Sequence, residues 1–73
     1  MLKLPVLSGR EVARVLGSFG YQNLRQRGSH MRLKCQGRRP VTVPDHAGID
    51  RSLLLKILRD ADIRPDEFLR ALQ

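Results

Sequence analysis

The segment from His30 to Cys35 constrains this chain more than any other. In His30-Met31-Arg32-Leu33-Lys34-Cys35, the residues Met31, Leu33 and Cys35 fall on one face and His30, Arg32 and Lys34 on the other, the period of two that marks a half-buried strand. Directly before it stands Gly28-Ser29, a two-residue turn with Gly in the first central position, as a type II′ hairpin requires. Tyr21 to Arg27 then reads as the antiparallel partner. Gln36-Gly37-Arg38-Arg39 is a second turn, and Pro40 to Val43 a third strand with Val41 and Val43 pointing one way and Thr42 the other. The reading is a three-stranded antiparallel meander with one apolar and one polar face.

An apolar sheet face needs a cover, and helical patterns flank the meander on both sides. Ser8-Gly9-Arg10-Glu11 has the form of a capping box. Val12, Val15, Leu16 and Phe19 follow at the spacing of one helical face, with Gly20 as a left-handed stop. After the loop Pro44-Asp45-His46-Ala47-Gly48, Asp50 is placed to cap a second helix with Leu53, Leu54, Ile57, Leu58 and Ala61 as its buried stripe. Pro65 suits the first turn of a short final helix bearing Phe68, Leu69 and Leu72. The expected fold is α+β, a two-layer sandwich of αβββα order with the helices on one face of the sheet and a short C-terminal helix, forming one domain over residues 1–73. The lone cysteine, Cys35, allows no internal disulfide and reads as a small buried hydrophobe. No apolar run approaches the roughly 18 residues of a membrane span, and Met1-Leu2-Lys3-Leu4-Pro5 is too short for a signal-peptide core. A cytoplasmic chain with no membrane partner is expected.

Charge placement points to the partner. The 73 residues carry 14 Lys plus Arg against 7 Asp plus Glu, a net +7. No acidic residue lies between Glu11 and Asp45, whereas Arg14, Arg25, Arg27, Arg32, Lys34, Arg38 and Arg39 all do. The excess therefore sits on the meander. Most of the basic residues are Arg, whose planar fork matches phosphate oxygens, so a polyanion is the leading partner class, with a merely solvated charged face as the alternative. With no Trp, one Tyr and two Phe, stacking platforms for single-stranded bases are scarce, and binding must work through phosphate and shape.

Few residues are equipped for catalysis. The carboxylates after residue 44 are scattered, one Cys and two His are too few for a structural zinc site, and no glycine-rich phosphate loop is present. Neither a metal nor a small-molecule cofactor is expected. His30 and His46 are the only histidines, the side-chain type whose unperturbed titration lies near neutrality. His30 follows a tight turn that fixes its backbone and shares a face with Arg32 and Lys34, which suits a general base acting on an RNA 2′-hydroxyl while cations stabilise the phosphate. Arg25, Arg27, Ser29, Arg32, Lys34, Arg38 and Arg39 are the expected substrate contacts. Ser29 is foremost a turn residue, since nothing supplies the base and orienter a nucleophile needs. His46 is foremost a loop residue and otherwise an auxiliary catalytic group.

Pro5 with Ser8-Gly9-Arg10-Glu11-Val12, Leu16, Phe19-Gly20-Tyr21, Arg27-Gly28-Ser29-His30, Val41-Thr42-Val43-Pro44-Asp45-His46, Leu54 to Ile63 and Pro65-Asp66-Glu67-Phe68-Leu69 resemble, in order, the HicA toxin family. The resemblance implies a type II toxin with a double-stranded-RNA-binding-domain-like fold that cleaves mRNA without the ribosome, inhibits growth, and is neutralised by a HicB-type antitoxin protein. It assigns the catalytic histidine to His30. The chain departs from the family before the second helix, where Ser52-Leu53 replaces the usual Gly-Thr and puts any ligand contact there in question. A non-catalytic double-stranded nucleic-acid binder, or a degenerate toxin serving only as an antitoxin partner, are the alternative readings.

Overall fold

The expected order of elements is the observed one. A computed structural model describes residues 3–73; Met1 and Leu2, part of the stretch weighed as a leader, lie outside the described residues. The elements are α1 (Gly9–Gly17), β1 (Gln22–Arg27), β2 (His30–Lys34), β3 (Val41–Pro44), α2 (Arg51–Ala61) and α3 (Pro65–Leu72). The sheet runs β1-β2-β3, antiparallel throughout. Among the described residues no helix is long and apolar enough to cross a membrane.

Local chemistry sets the helix ends. The Ser8 hydroxyl accepts from the Glu11 amide at 3.1 Å, and the Ser8 amide donates to the Glu11 carboxylate at 3.1 Å, so the capping box is complete. Regular helix stops at Gly17, earlier than the apolar spacing suggests. One tightened turn then carries the chain to Gly20 at φ +104°. There the Gly20 amide reaches Gly17 O (3.0 Å) and the Tyr21 amide reaches Leu16 O (3.2 Å), the pair of bonds that closes a Schellman motif. Phe19 sits on that turn and is half-buried rather than in the core stripe. Asp50 caps α2, its carboxylate accepting from the Leu53 amide at 2.9 Å.

The core lies beneath β2 and β3. Met31 and Leu33 from β2, Val41 and Val43 from β3, Val12, Val15 and Leu16 from α1, and Leu54, Ile57, Leu58 and Ala61 from α2 are all buried. α1 and α2 rest on β3, and α3 packs against both helices, driving Phe68 fully out of solvent. Leu4, Leu7 and Ile49 are buried too, with Leu7 and Ile49 joined by an isolated bridge whose Ile49 amide lies 2.7 Å from Leu7 O. No periodicity announces these three, because each stands alone in a loop.

The main departure from expectation is β1, none of whose six residues is buried. Its helix-side positions are Asn23 and Gln26, paired with Leu33 and Met31, and a bulge between Asn23 and Arg25 turns Leu24 out to 59% exposure. The hairpin thus overhangs the core. Cys35 is half-buried, its thiol 3.5 Å from Phe19 O.

One close approach joins the layers. Gly9 is buried, its amide donates to His46 O at 2.9 Å, and a Cβ added there would stand 1.8 Å from Pro44 O. Gly17, by contrast, meets nothing within 4 Å. Gly9→Ala should therefore cost about 3 kcal/mol, the upper range for forced overpacking, whereas Gly17→Ala should gain roughly 0.4–1 kcal/mol by stiffening the unfolded chain. Thermal unfolding of the two variants checks this, and equal midpoints would refute it.

Candidate functional site

Residues paired across an antiparallel sheet share a face, so the register assembles the site. Arg27 pairs with His30, Arg25 with Arg32, and Gln22 with Lys34 across β1 and β2; Thr42 pairs with Arg32 across β2 and β3. Arg25, Arg27, His30, Arg32 and Thr42 accordingly line one open concavity of about 330 Å³, with Lys34 one step along the same face. An Arg32 guanidinium N–H donates to the Thr42 hydroxyl at 2.9 Å. Among the described residues none of Arg25, Arg27, Arg32 and Lys34 enters an ion pair. Arg25 directly opposite Arg32 is a like-charge pair, which disfavours the fold by roughly 0.2–1 kcal/mol.

His30 is exposed and opens β2 straight after the turn. Gly28 takes φ +54°, a conformation costly for any other residue, and Ser29 does not share it, as the type II′ reading anticipates. The turn is tied down at successive carbonyls. Ser29 O accepts from the Asp45 amide at 2.6 Å, and Gly28 O accepts from the Gln26 side-chain amide at 3.3 Å. The same Gln26 nitrogen reaches the Asp45 carboxylate at 3.0 Å. Arg10 of α1 donates to that carboxylate through Nε to Oδ1 (3.2 Å) and Nη2 to Oδ2 (3.2 Å). The bonds from Arg10, then those from Gln26, hold the Asp45 carboxyl below its usual range.

The remaining expected residues lie elsewhere. Five residues of β2 span roughly 13 Å, and Arg38 and Arg39 lie beyond its far end, away from His30. Arg38 caps the C-terminus of α2, donating to Ala61 O at 2.8 Å and Asp62 O at 3.0 Å, while its guanidinium stands 5.7 Å from the Phe19 ring centroid. Arg39 lines a separate hollow with Gly37, Arg38, Arg59, Asp60 and Asp62. His46 is exposed and its carbonyl is occupied by Gly9; it is not among the residues lining the His30 concavity. At the start of α2 the Leu53 amide is already engaged by Asp50, so Ser52-Leu53 offers less free backbone than an uncapped helix start. Among the described residues no three His, Cys, Asp or Glu side chains gather as metal ligands.

Sequence reasoning missed Asp45, Arg10 and Gln26 as parts of this site. Thr42 was within reach, since alternation already aimed it at the polar face. Asp45 was not, because its partners lie 35 and 19 residues away.

Fold and site together define a small α+β protein of αβββα order with a short C-terminal helix that turns a cationic, histidine-bearing sheet face to solvent. The family model described as "HicA toxin of bacterial toxin-antitoxin" matches residues 9–63, and the chain belongs to the HicA toxin family of toxin–antitoxin systems. Among solved structures it is similar to a chain of a "Toxin-Antitoxin complex from Streptococcus pneumoniae", at 26% identity and a TM-score of 0.69, over 78% of this chain and 98% of that one. No curated protein matches the chain significantly.

Two measurements test this geometry. Arg25→Thr relieves the pair with Arg32, so it should raise stability by roughly 0.2–1 kcal/mol, with the gain shrinking as salt screens the repulsion; a salt-independent change in chemical denaturation would contradict it. The lowered Asp45 pKa adds stability that is present above the ordinary carboxylate value and lost as pH falls through the lowered one. Asp45→Asn should therefore be less stable than the parent at neutral pH, with the gap closing in acid. A gap that stays constant with pH would refute the assignment.

Proposed function

We propose that the chain is a ribosome-independent mRNA endoribonuclease, the toxin of a type II toxin–antitoxin pair, acting in the cytoplasm as a single domain until a HicB-type antitoxin neutralises it. The observation that carries this reading is the meeting of an exposed imidazole and three unpaired arginines around one concavity. The double-stranded-RNA-binding-domain type of fold and the family membership support it.

The chemistry follows from that arrangement. A phosphodiester seated against Arg25, Arg27 and Arg32, with Lys34 beyond them, brings its neighbouring ribose to His30. The neutral imidazole accepts the 2′-hydroxyl proton, the 2′ oxygen attacks phosphorus, and the 5′ oxygen departs on the opposite side, taking a proton from solvent at this open face. The products are a 2′,3′-cyclic phosphate and a 5′-hydroxyl. The guanidinium forks stabilise the charge that builds on the non-bridging oxygens, and Thr42 steadies Arg32 for that purpose. No step requires a metal ion. Ser29 contributes the turn backbone and a contact to the RNA. Arg38 and Arg39, at the other end of the sheet, touch only a longer stretch of RNA, and Arg38 does so while holding α2.

General-base catalysis is worth about 10²–10⁴-fold, so His30→Ala should slow cleavage of a synthetic RNA by that order and relieve growth arrest, with duplex or single-strand binding retained. Chelator should leave the parent's rate unchanged. Persistent cleavage by His30→Ala removes the histidine mechanism, and loss of activity in chelator removes metal independence. RNA bound by the parent but never cut would replace the enzyme with a binding module.

A further inference from the structure

The hairpin that carries His30 is anchored from one strand only. β2 is held by its buried Met31 and Leu33, but β1 contributes no buried side chain, and a strand without apolar anchorage adds little stability of its own. Yet general-base catalysis tolerates little displacement, since a shift of about 1 Å costs on the order of 10²-fold. Something polar must hold the tip.

We propose that Asp45 is a positioning residue, which fastens the hairpin tip to α1 through Arg10 and Gln26 and so sets where the His30 imidazole stands. Three partners converge on it. Its amide holds Ser29 O, the carbonyl immediately before His30. Its carboxylate holds Gln26, which in turn holds Gly28 O. Arg10 grips the carboxylate from the helix layer at 3.2 Å, and α1 itself is locked to the end of β3 by the Gly9 contact. The carboxylate works on the helix side of the sheet: Gln26 is paired with buried Met31, on the face opposite Arg25, Arg27 and His30. Asp45 therefore acts through backbone and partner side chains and does not meet the substrate. The same bonds lower the Asp45 pKa, so the tether stays charged further into acid.

This inference rests on His30 being the base, and its test separates the two ideas. Cleavage of a synthetic RNA is measured for the parent, Asp45→Ala, Asp45→Asn, Arg10→Ala and Gln26→Ala, beside backbone order parameters of Ser29 and His30 by NMR. Asp45→Ala should lower kcat about 10- to 100-fold with KM within about threefold, because the arginine face is intact, and the pH profile should keep its shape. Asp45→Asn, which retains an acceptor oxygen, should recover part of the loss. Gln26→Ala removes only exposed bonds and serves should Asp45→Ala fail to fold. It and Arg10→Ala should reproduce part of the defect, and Arg10→Ala should add nothing to Asp45→Ala. The order parameters should fall from about 0.85 toward 0.6. An unchanged kcat, a defect confined to KM, a lost limb of the pH profile, or a tip as rigid in Asp45→Ala as in the parent each overturns the proposal. If the parent leaves RNA intact, the endonuclease reading falls, and the order parameters alone decide whether Asp45 tethers the tip.

Discussion

Helix α1 and strand β3 meet where Gly9 has no side chain to keep them apart. Its amide bonds to His46 O at 2.9 Å, and any Cβ would collide with Pro44 O. That contact decides how the layers are stacked: it presses the capped start of α1 onto the end of β3, and Pro44 is the residue in register with His30. Burial of Val12, Val15 and Leu16 against Val41 and Val43 depends on the same alignment. One missing methyl group thus fixes both the core and the frame in which the site is built.

Buried contacts are unevenly spread over the sheet. β2 and β3 bury alternate side chains over the helices, and the favourable free energy of folding comes from there. β1 buries nothing and holds arginine opposite arginine, which works against folding. Unfavourable local choices that persist in a folded chain are expected at functional or strained sites. Arg38 shows the contrary case. It lies in the same acid-free segment of sequence, yet it caps α2 and covers Phe19, so part of the basic excess is structural.

Much of this was legible in the residues, and the rest was hidden for definite reasons. The capping box at Ser8, the Gly28-Ser29 turn and the alternation from His30 to Lys34 are local signals, and local signals survive folding. The polar face of β2, including Thr42 opposite Arg32, could be drawn from alternation alone. The exposure of β1 could not, because Tyr21 to Arg27 carries strand propensity without saying which strands the helices cover. The Arg10–Asp45–Gln26 cluster was equally hidden, since no short-range pattern links α1 to the loop after β3. The capping of α2 by Arg38 was hidden as well, because composition reports charge and not its neighbours.

The overhang of β1 has an evolutionary consequence. Side chains at Gln22, Arg25 and Arg27 can be exchanged without disturbing a single buried contact. Most proteins must trade new surface chemistry against core packing, but here the exposed ribbon is attached to the sheet without contributing a buried side chain. Lineages of such a protein can change the chemistry of that ribbon while the core stays unchanged.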